Sequence, residues 1–190
     1  MKLIDCFMYF DEDMLLDIRL NILNNYVDKF VIAEATKTHS GEEKNLNFDI
    51  KKFSKFKNKI EYLVIDDLPL DVDKFKKDWA ASHIRDQFQR NSLYKGYKDY
   101  GENDLIMISD LDEIPKINNY EIFKKKKYTV FDQMLFYYRF NLLNTTETNW
   151  YGTRACKKKY LKSPQWLRSQ KVKDYPFWRF DKINWNIVNN

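Results

Sequence analysis

The chain has 190 residues, 44% hydrophobic and 32% charged, with four Gly and four Pro. That is about one domain with room for a sizeable core, and it excludes a disordered or collagen-like chain. A net charge of +5 is too mild to indicate nucleic acid, two Cys frame neither a disulfide scaffold nor a zinc motif, and no apolar run nears the roughly 20 residues that span a bilayer.

Leu3 to Phe10 is apolar and aromatic and predicts a buried strand rather than a signal peptide. Asp11 offers an N-cap, Asp13 an acidic first turn, and Leu15 to Leu23 follow at helical spacing. Lys29 to Ala35 is a second strand, and the polar Thr36–Asn47 stretch with Gly41 is a loop. Ile60 to Ile65 is a third strand, closed by Asp66-Asp67-Leu68-Pro69. Asp73 to Tyr100 predicts one long helix or two shorter ones, and Asp104 to Ser109 a fourth strand, apolar enough for burial on both faces. Alternating strands and helices argue for an α/β domain with a mostly parallel sheet. Tyr128 to Asn141 is a long aromatic strand candidate, and the remainder reads as a mixed or antiparallel extension. The lysine runs Lys124–Lys127 and Lys157–Lys159 read as a solvated helix end and a solvated loop or strand edge.

The fourth strand runs directly into Ser109-Asp110-Leu111-Asp112-Glu113-Ile114-Pro115. Ligands of open α/β sheets bind beyond the carboxyl ends of strands. In extended backbone, residues two apart share a face about 6.6 Å apart, so Asp110 and Asp112 can address one ligand while Leu111 turns inward. Two carboxylates that close repel unless a cation intervenes, and Mn²⁺ or Mg²⁺ suits such oxygens. A cation there would bridge to the diphosphate of a nucleotide-sugar. The same residues also suit a polar turn after a strand, and spacing alone does not choose.

The chain resembles glycosyltransferase family 17, the N-acetylglucosaminyltransferase III-like enzymes. The resemblance rests on Asp5-Cys6-Phe7 with Tyr9-Phe10, Leu16 with Ile18-Arg19-Leu20, Val27-Asp28 with Phe30-Val31-Ile32 and Glu34-Ala35, Thr38-His39-Ser40-Gly41 with Lys44, Gln89-Arg90-Asn91, and Ile108 to Pro115. Tyr137 to Asn141 matches more loosely. It implies a GT-A type, Rossmann-like fold with helices on both faces, and an inverting transfer from a UDP-sugar, UDP-N-acetylglucosamine first, to a glycan. One domain is expected over residues 1–190, with 1–115 as the nucleotide-sugar half and 116–190 as the acceptor-side half. The family pattern continues into a Gly-Trp-His-containing segment that is absent before Asn190, so a shortened acceptor side is expected. Another donor, or an inactive nucleotide- or carbohydrate-binding protein, is the alternative. A cytoplasmic setting, in a bacterium or a virus-infected cell, is expected.

By the same resemblance Asp112 ligates the metal, with Asp110 on the ribose or on the metal through water. Donor contacts are expected from Glu34, Thr38, His39, Lys44, Arg90 and Asn91. Glu34 could equally pair with a Lys, and Arg90 with a motif carboxylate. Arg85 and His83 are expected at the helix surface, and Asp5 to serve the loop rather than substrate. An inverting transfer needs a base. Glu113 and Asp132 are candidates, and Glu147, Asp174 and Asp181 remain open. Trp150, Trp166, Trp178 and Trp185 suit sugar stacking or core packing.

Overall fold

The structure is a computed structural model that describes residues 1–69, 72, 78–136, 142–146, 149–173, 175–176, 178–179 and 181–189. In chain order the elements are β1 (Leu3–Met8), α1 (Asp13–Leu23), β2 (Lys29–Ala35), β3 (Ile60–Ile65), α2 (Asp78–Ser92), α3 (Tyr94–Tyr97), β4 (Leu105–Ile108), β5 (Tyr128–Gln133), β6 (Trp150–Lys157), α4 (Pro164–Ser169) and β7 (Trp185–Asn189). The strands form one seven-stranded sheet in the order β3-β2-β1-β4-β6-β5-β7.

The four N-terminal strands are mutually parallel. β6 runs antiparallel to both β4 and β5, and β7 is parallel to β5. The expected α/β sheet with a mixed extension is therefore present. The chain steps outward from β1 to β2 and β3, then returns across β1 to β4. The strand order thus reverses between β1 and β4, a switch point where the strand ends leave a crevice.

Side-chain alternation divides the core. Leu3, Phe7, Phe30, Ile32, Leu105 and Met107 pack under Leu16, Leu20 and Leu23 of α1. Ile4, Cys6, Val31, Ala33, Ile106 and Ile108 face Leu93, Tyr97 and Leu167, contributed by or beside α2, α3 and α4. Helices therefore cover both faces, which is why β1 and β4 are apolar runs rather than alternating ones.

Local differences from the sequence reading have simple causes. Asp11 is not the cap of α1: Glu12 takes that position, and its carboxylate turns back to accept the amides of Phe10 and Asp11 at 3.0 and 3.1 Å. The long helical stretch breaks at Leu93 into α2 and α3, while 73–77 lie outside the described residues. The aromatic strand ends at Gln133, and 137–141 likewise lie outside.

Candidate functional site

Two charged residues sit where a sheet and a helix bury their apolar faces. Asp5 on β1 and Arg19 on α1 are both 0% exposed. Arg19 donates from Nε and Nη2 to the two Asp5 oxygens at 2.8 and 2.7 Å, its guanidinium lying 4.6 Å from the Phe7 ring centroid. Its Nη1 donates to the carbonyls of Asp110, Leu111 and Glu113 at 3.2, 3.1 and 3.0 Å, and Nη2 also reaches Ser109 Oγ. One guanidinium, neutralised from behind by Asp5, thus gathers the carbonyls of the loop after β4. Asp5 serves the loop, as expected; Arg19 was not singled out as a site residue.

That loop is a turn and not the extended backbone assumed from spacing: the Glu113 amide donates to the Asp110 carbonyl at 3.2 Å. Leu111 is buried as expected, and both aspartates still face the same cleft. Asp110 is held between two arginines. Arg90 of α2 contacts Oδ1 at 3.2 Å, and Arg168 of α4 contacts Oδ2 at 2.9 Å. Arg168 also grips both oxygens of buried Glu113, at 2.8 and 2.9 Å. Burial alone would lower the Arg168 pKa, but Glu113 and Asp110 outweigh it and raise the value. Glu113 further accepts from the Asp110 amide and from Trp150 Nε1, at 2.9 and 3.0 Å. It does not line the cleft, because it is a strut of the loop.

Asp112 differs from its neighbours. It is solvent-exposed, and among the described residues no other side chain pairs with its carboxylate. Partial withdrawal from water in the cleft wall, and then the Asp110 charge, raise its pKa above the ordinary carboxylate value. A cation beside it would relieve both effects. Among the described residues no three His, Cys, Asp or Glu side chains converge into a metal cage. One carboxylate with phosphate and water completing the shell is nevertheless a common mode for Mg²⁺-like cations, so Asp112 fits.

The loop after β2 forms the opposite wall. Glu34 is fully buried and accepts from Lys44 Nζ (2.5 Å), the Asn47 and Phe48 amides (2.7 and 3.1 Å) and Tyr62 OH (2.8 Å). It therefore faces the loop interior and positions Lys44, whose ammonium lies 5.0 Å from the exposed Phe10 ring. His39 Nε2 bonds Gln89 Oε1 at 2.8 Å. Arg85 is a correction: it is 1% exposed and donates to the carbonyls of Pro69 and His39 at 3.1 and 3.0 Å. It packs under Gly41, whose φ of +98° favours glycine and where an added Cβ would lie only 3.2 Å from the guanidinium. His83 is exposed as expected.

These walls enclose a cleft of about 370 Å³ lined by Thr38, His39, Lys44, Arg90, Asp110 and Asp112. Tyr9, Phe10, Glu12 and Asp86 also line it and were not anticipated. Asn91 lies outside, its Oδ1 accepting the Gln165 amide at 3.0 Å. Asp132 stands on β5 away from the lining, with Asn149 bonded to Oδ2 and Oδ1 buried without a partner. Asp181 pairs with Arg179 at 2.7 Å, while Glu147 and Asp174 lie outside the described residues. Trp185 is core, Trp166 is half-buried, and Trp150 and Trp178 are exposed.

The family model of glycosyltransferase family 17 matches residues 1–173, a span that includes Arg19, Arg90, the aspartate loop and Arg168. The chain belongs to glycosyltransferase family 17. No curated protein matches it in sequence. As a family 17 glycosyltransferase it binds a sugar donor and an acceptor. Among its described residues no helix is long and apolar enough to cross a membrane.

Proposed function

We propose that this glycosyltransferase transfers N-acetylglucosamine from UDP-N-acetylglucosamine to a glycan with inversion, on a GT-A type fold and with Mn²⁺ or Mg²⁺. The observation that carries the reading is the Asp112 carboxylate, unpaired among the described residues, in one cleft with cationic Arg90 and Lys44 at the sheet's switch point. Asp112 would hold the cation, and Asp110, fixed by Arg90 and Arg168, would face the ribose or the metal-bound water. When bound, the cation supplies charge neutralisation to the diphosphate and the departing nucleotide.

The rest falls to the chain's own groups. Arg90 lines the cleft with its guanidinium on Asp86 and Asp110, and among the described residues its buried Nε has no hydrogen-bond partner; its charge would offset the diphosphate. Lys44, backed by Glu34, offsets phosphate charge, while Thr38 and His39 offer hydrogen bonds to phosphate or sugar. Among the described residues the lining falls between Met8 and Asp112, which supports 1–115 as the donor half and 116–190 as the acceptor half. Glu113 has both oxygens engaged, and Asp132 stands away from the cleft lining with its Oδ1 buried, so this reading assigns the base to neither.

Calorimetric titration of UDP and UDP-N-acetylglucosamine, with Mn²⁺ and with chelator, tests it. Wild type binds only with the cation, and Asp112→Ala loses that binding. Absence of binding by folded wild type in both conditions would overturn the reading. Cation-dependent binding of another UDP-sugar alone would change the donor, and binding without turnover would mark an inactive nucleotide-binding protein.

A further inference from the structure

The strand register places a second charged feature far from the cleft. Leu105 at the start of β4 pairs with Lys157, and Tyr128 at the start of β5 pairs with Cys156 and with Trp185. Lys124–Lys127, Lys157 and the turn after it therefore sit at the edge where β1 and β4 begin, opposite the cleft.

Two adjoining hollows open there. One, of about 350 Å³, is lined by Lys124 to Lys127, Lys157, Phe123 and Tyr160, with no carboxylate among the described residues. The other, of about 580 Å³, shares Lys126, Lys127 and Tyr160 and extends past Trp166 to Tyr175 and Arg179. Its one acidic lining residue among the described residues, Asp181, is paired with Arg179. Among the described residues no carboxylate pairs with Lys125, Lys126, Lys127, Lys157, Lys159 or Lys162. Lys127 and Lys162 lie over the rings of Tyr160 and Trp166, each at 5.2 Å, and Trp178 in the neighbouring segment is 61% exposed.

Ammonium groups crowded without counter-charge repel one another and gain most from an extended anionic partner. We propose that this edge is a docking surface for an anionic phospholipid bilayer. The cations span two hollows rather than converging on one point, which suits a sheet of headgroups. Exposed indole and phenol rings beside them suit the headgroup layer. Docking by this edge leaves the cleft pointing away from the membrane and open to substrates.

Flotation with phosphatidylcholine vesicles, with and without phosphatidylserine, tests it. The wild type floats with phosphatidylserine vesicles at low salt, does not float with pure phosphatidylcholine, and detaches as salt rises. The triple variant Lys125→Glu, Lys157→Glu, Lys162→Glu loses at least about 100-fold in partitioning, at roughly fivefold per lysine removed. The corresponding Gln variant, checked for an unchanged melting curve, shifts in the same direction. Equal flotation with both vesicle types, unaltered binding by the Gln variant, or tighter binding to single-stranded RNA than to the vesicles would overturn the proposal.

Discussion

Arg19 shares a buried face of α1 with Leu16, Leu20 and Leu23, and Asp5 interrupts an otherwise apolar strand. Opposite charges at two buried positions predict each other, so this pair was legible once burial was assigned. What it holds was not legible, because a contact from position 19 to carbonyls 110–113 leaves no local pattern. Removing either partner should cost about 3–5 kcal/mol, since it strands a buried charge. Asp5→Leu with Arg19→Met should recover much of that stability in thermal unfolding but not cation-dependent UDP binding, because the loop carbonyls remain ungathered. Recovery of both would show that the pair only fills space. Gly152 offers a second test. A Cβ there would come within 3.0 Å of Glu113 Cδ and strike the Gln133 side chain. Gly152→Ala should therefore destabilise by about 1–3 kcal/mol and weaken UDP binding through the Glu113–Arg168–Asp110 chain. A melting temperature equal to wild type would refute the tight contact.

The regular elements were the most legible, because each of the four parallel strands is a compact apolar run ended by polar residues. Element ends were less so. The cap of α1 moved by one residue because the Glu12 carboxylate is used by the two preceding amides. The loop after β2 was legible as a loop but not as a cleft wall, since its order comes from Glu34 beneath it. Glu34 was read as a donor contact; buried, it can reach the donor only through Lys44 and the loop backbone. Glu34→Gln retains the acceptor oxygen but loses the charge that pairs Lys44. Donor affinity should fall at least roughly tenfold, the low end of the ~1.5–3 kcal/mol range of charge-assisted bonds, with kcat changed less than KM. A fall in kcat alone would instead place Glu34 in the chemistry.

The two cysteines, one on each of two strands, report on the whole sheet. Burial raises the Cys156 thiol to about 12 and the Cys6 thiol in the same direction. An unfolded thiol ionises near pH 8.5, so the unfolded chain releases protons in a window where the native state keeps them. Stability should then be complete below about pH 8 and fall as pH rises toward 12, with Cys156 contributing roughly 1–2 kcal/mol of loss by pH 10. Between about pH 8 and 10 the melting temperature of wild type should fall more steeply with pH than that of Cys156→Ala, which lacks this loss, and neither thiol should react with a disulfide reagent until unfolding. Prompt labelling of the native protein would contradict the burial.

The division into donor and acceptor halves was the least legible feature at this scale, because strand order departs from chain order. β6 inserts between β4 and β5, so the strand that carries the aspartate loop is paired on one side by residues fifty positions downstream. Arg168 crosses the same boundary to hold Asp110 and Glu113. Residues 1–115 therefore contain every described lining side chain of the cleft but not the edge or the cation that keep it in shape. Expressed alone, this fragment would present β4 with an open ladder and an apolar face stripped of α4, an arrangement prone to association. It should give a non-cooperative thermal transition, bind a hydrophobic dye and show no cation-dependent UDP binding, whereas the full chain melts cooperatively. A fragment that melts cooperatively and binds UDP with Mn²⁺ would show that the donor half is self-sufficient and that the contacts from β6 and α4 tune the site without creating it.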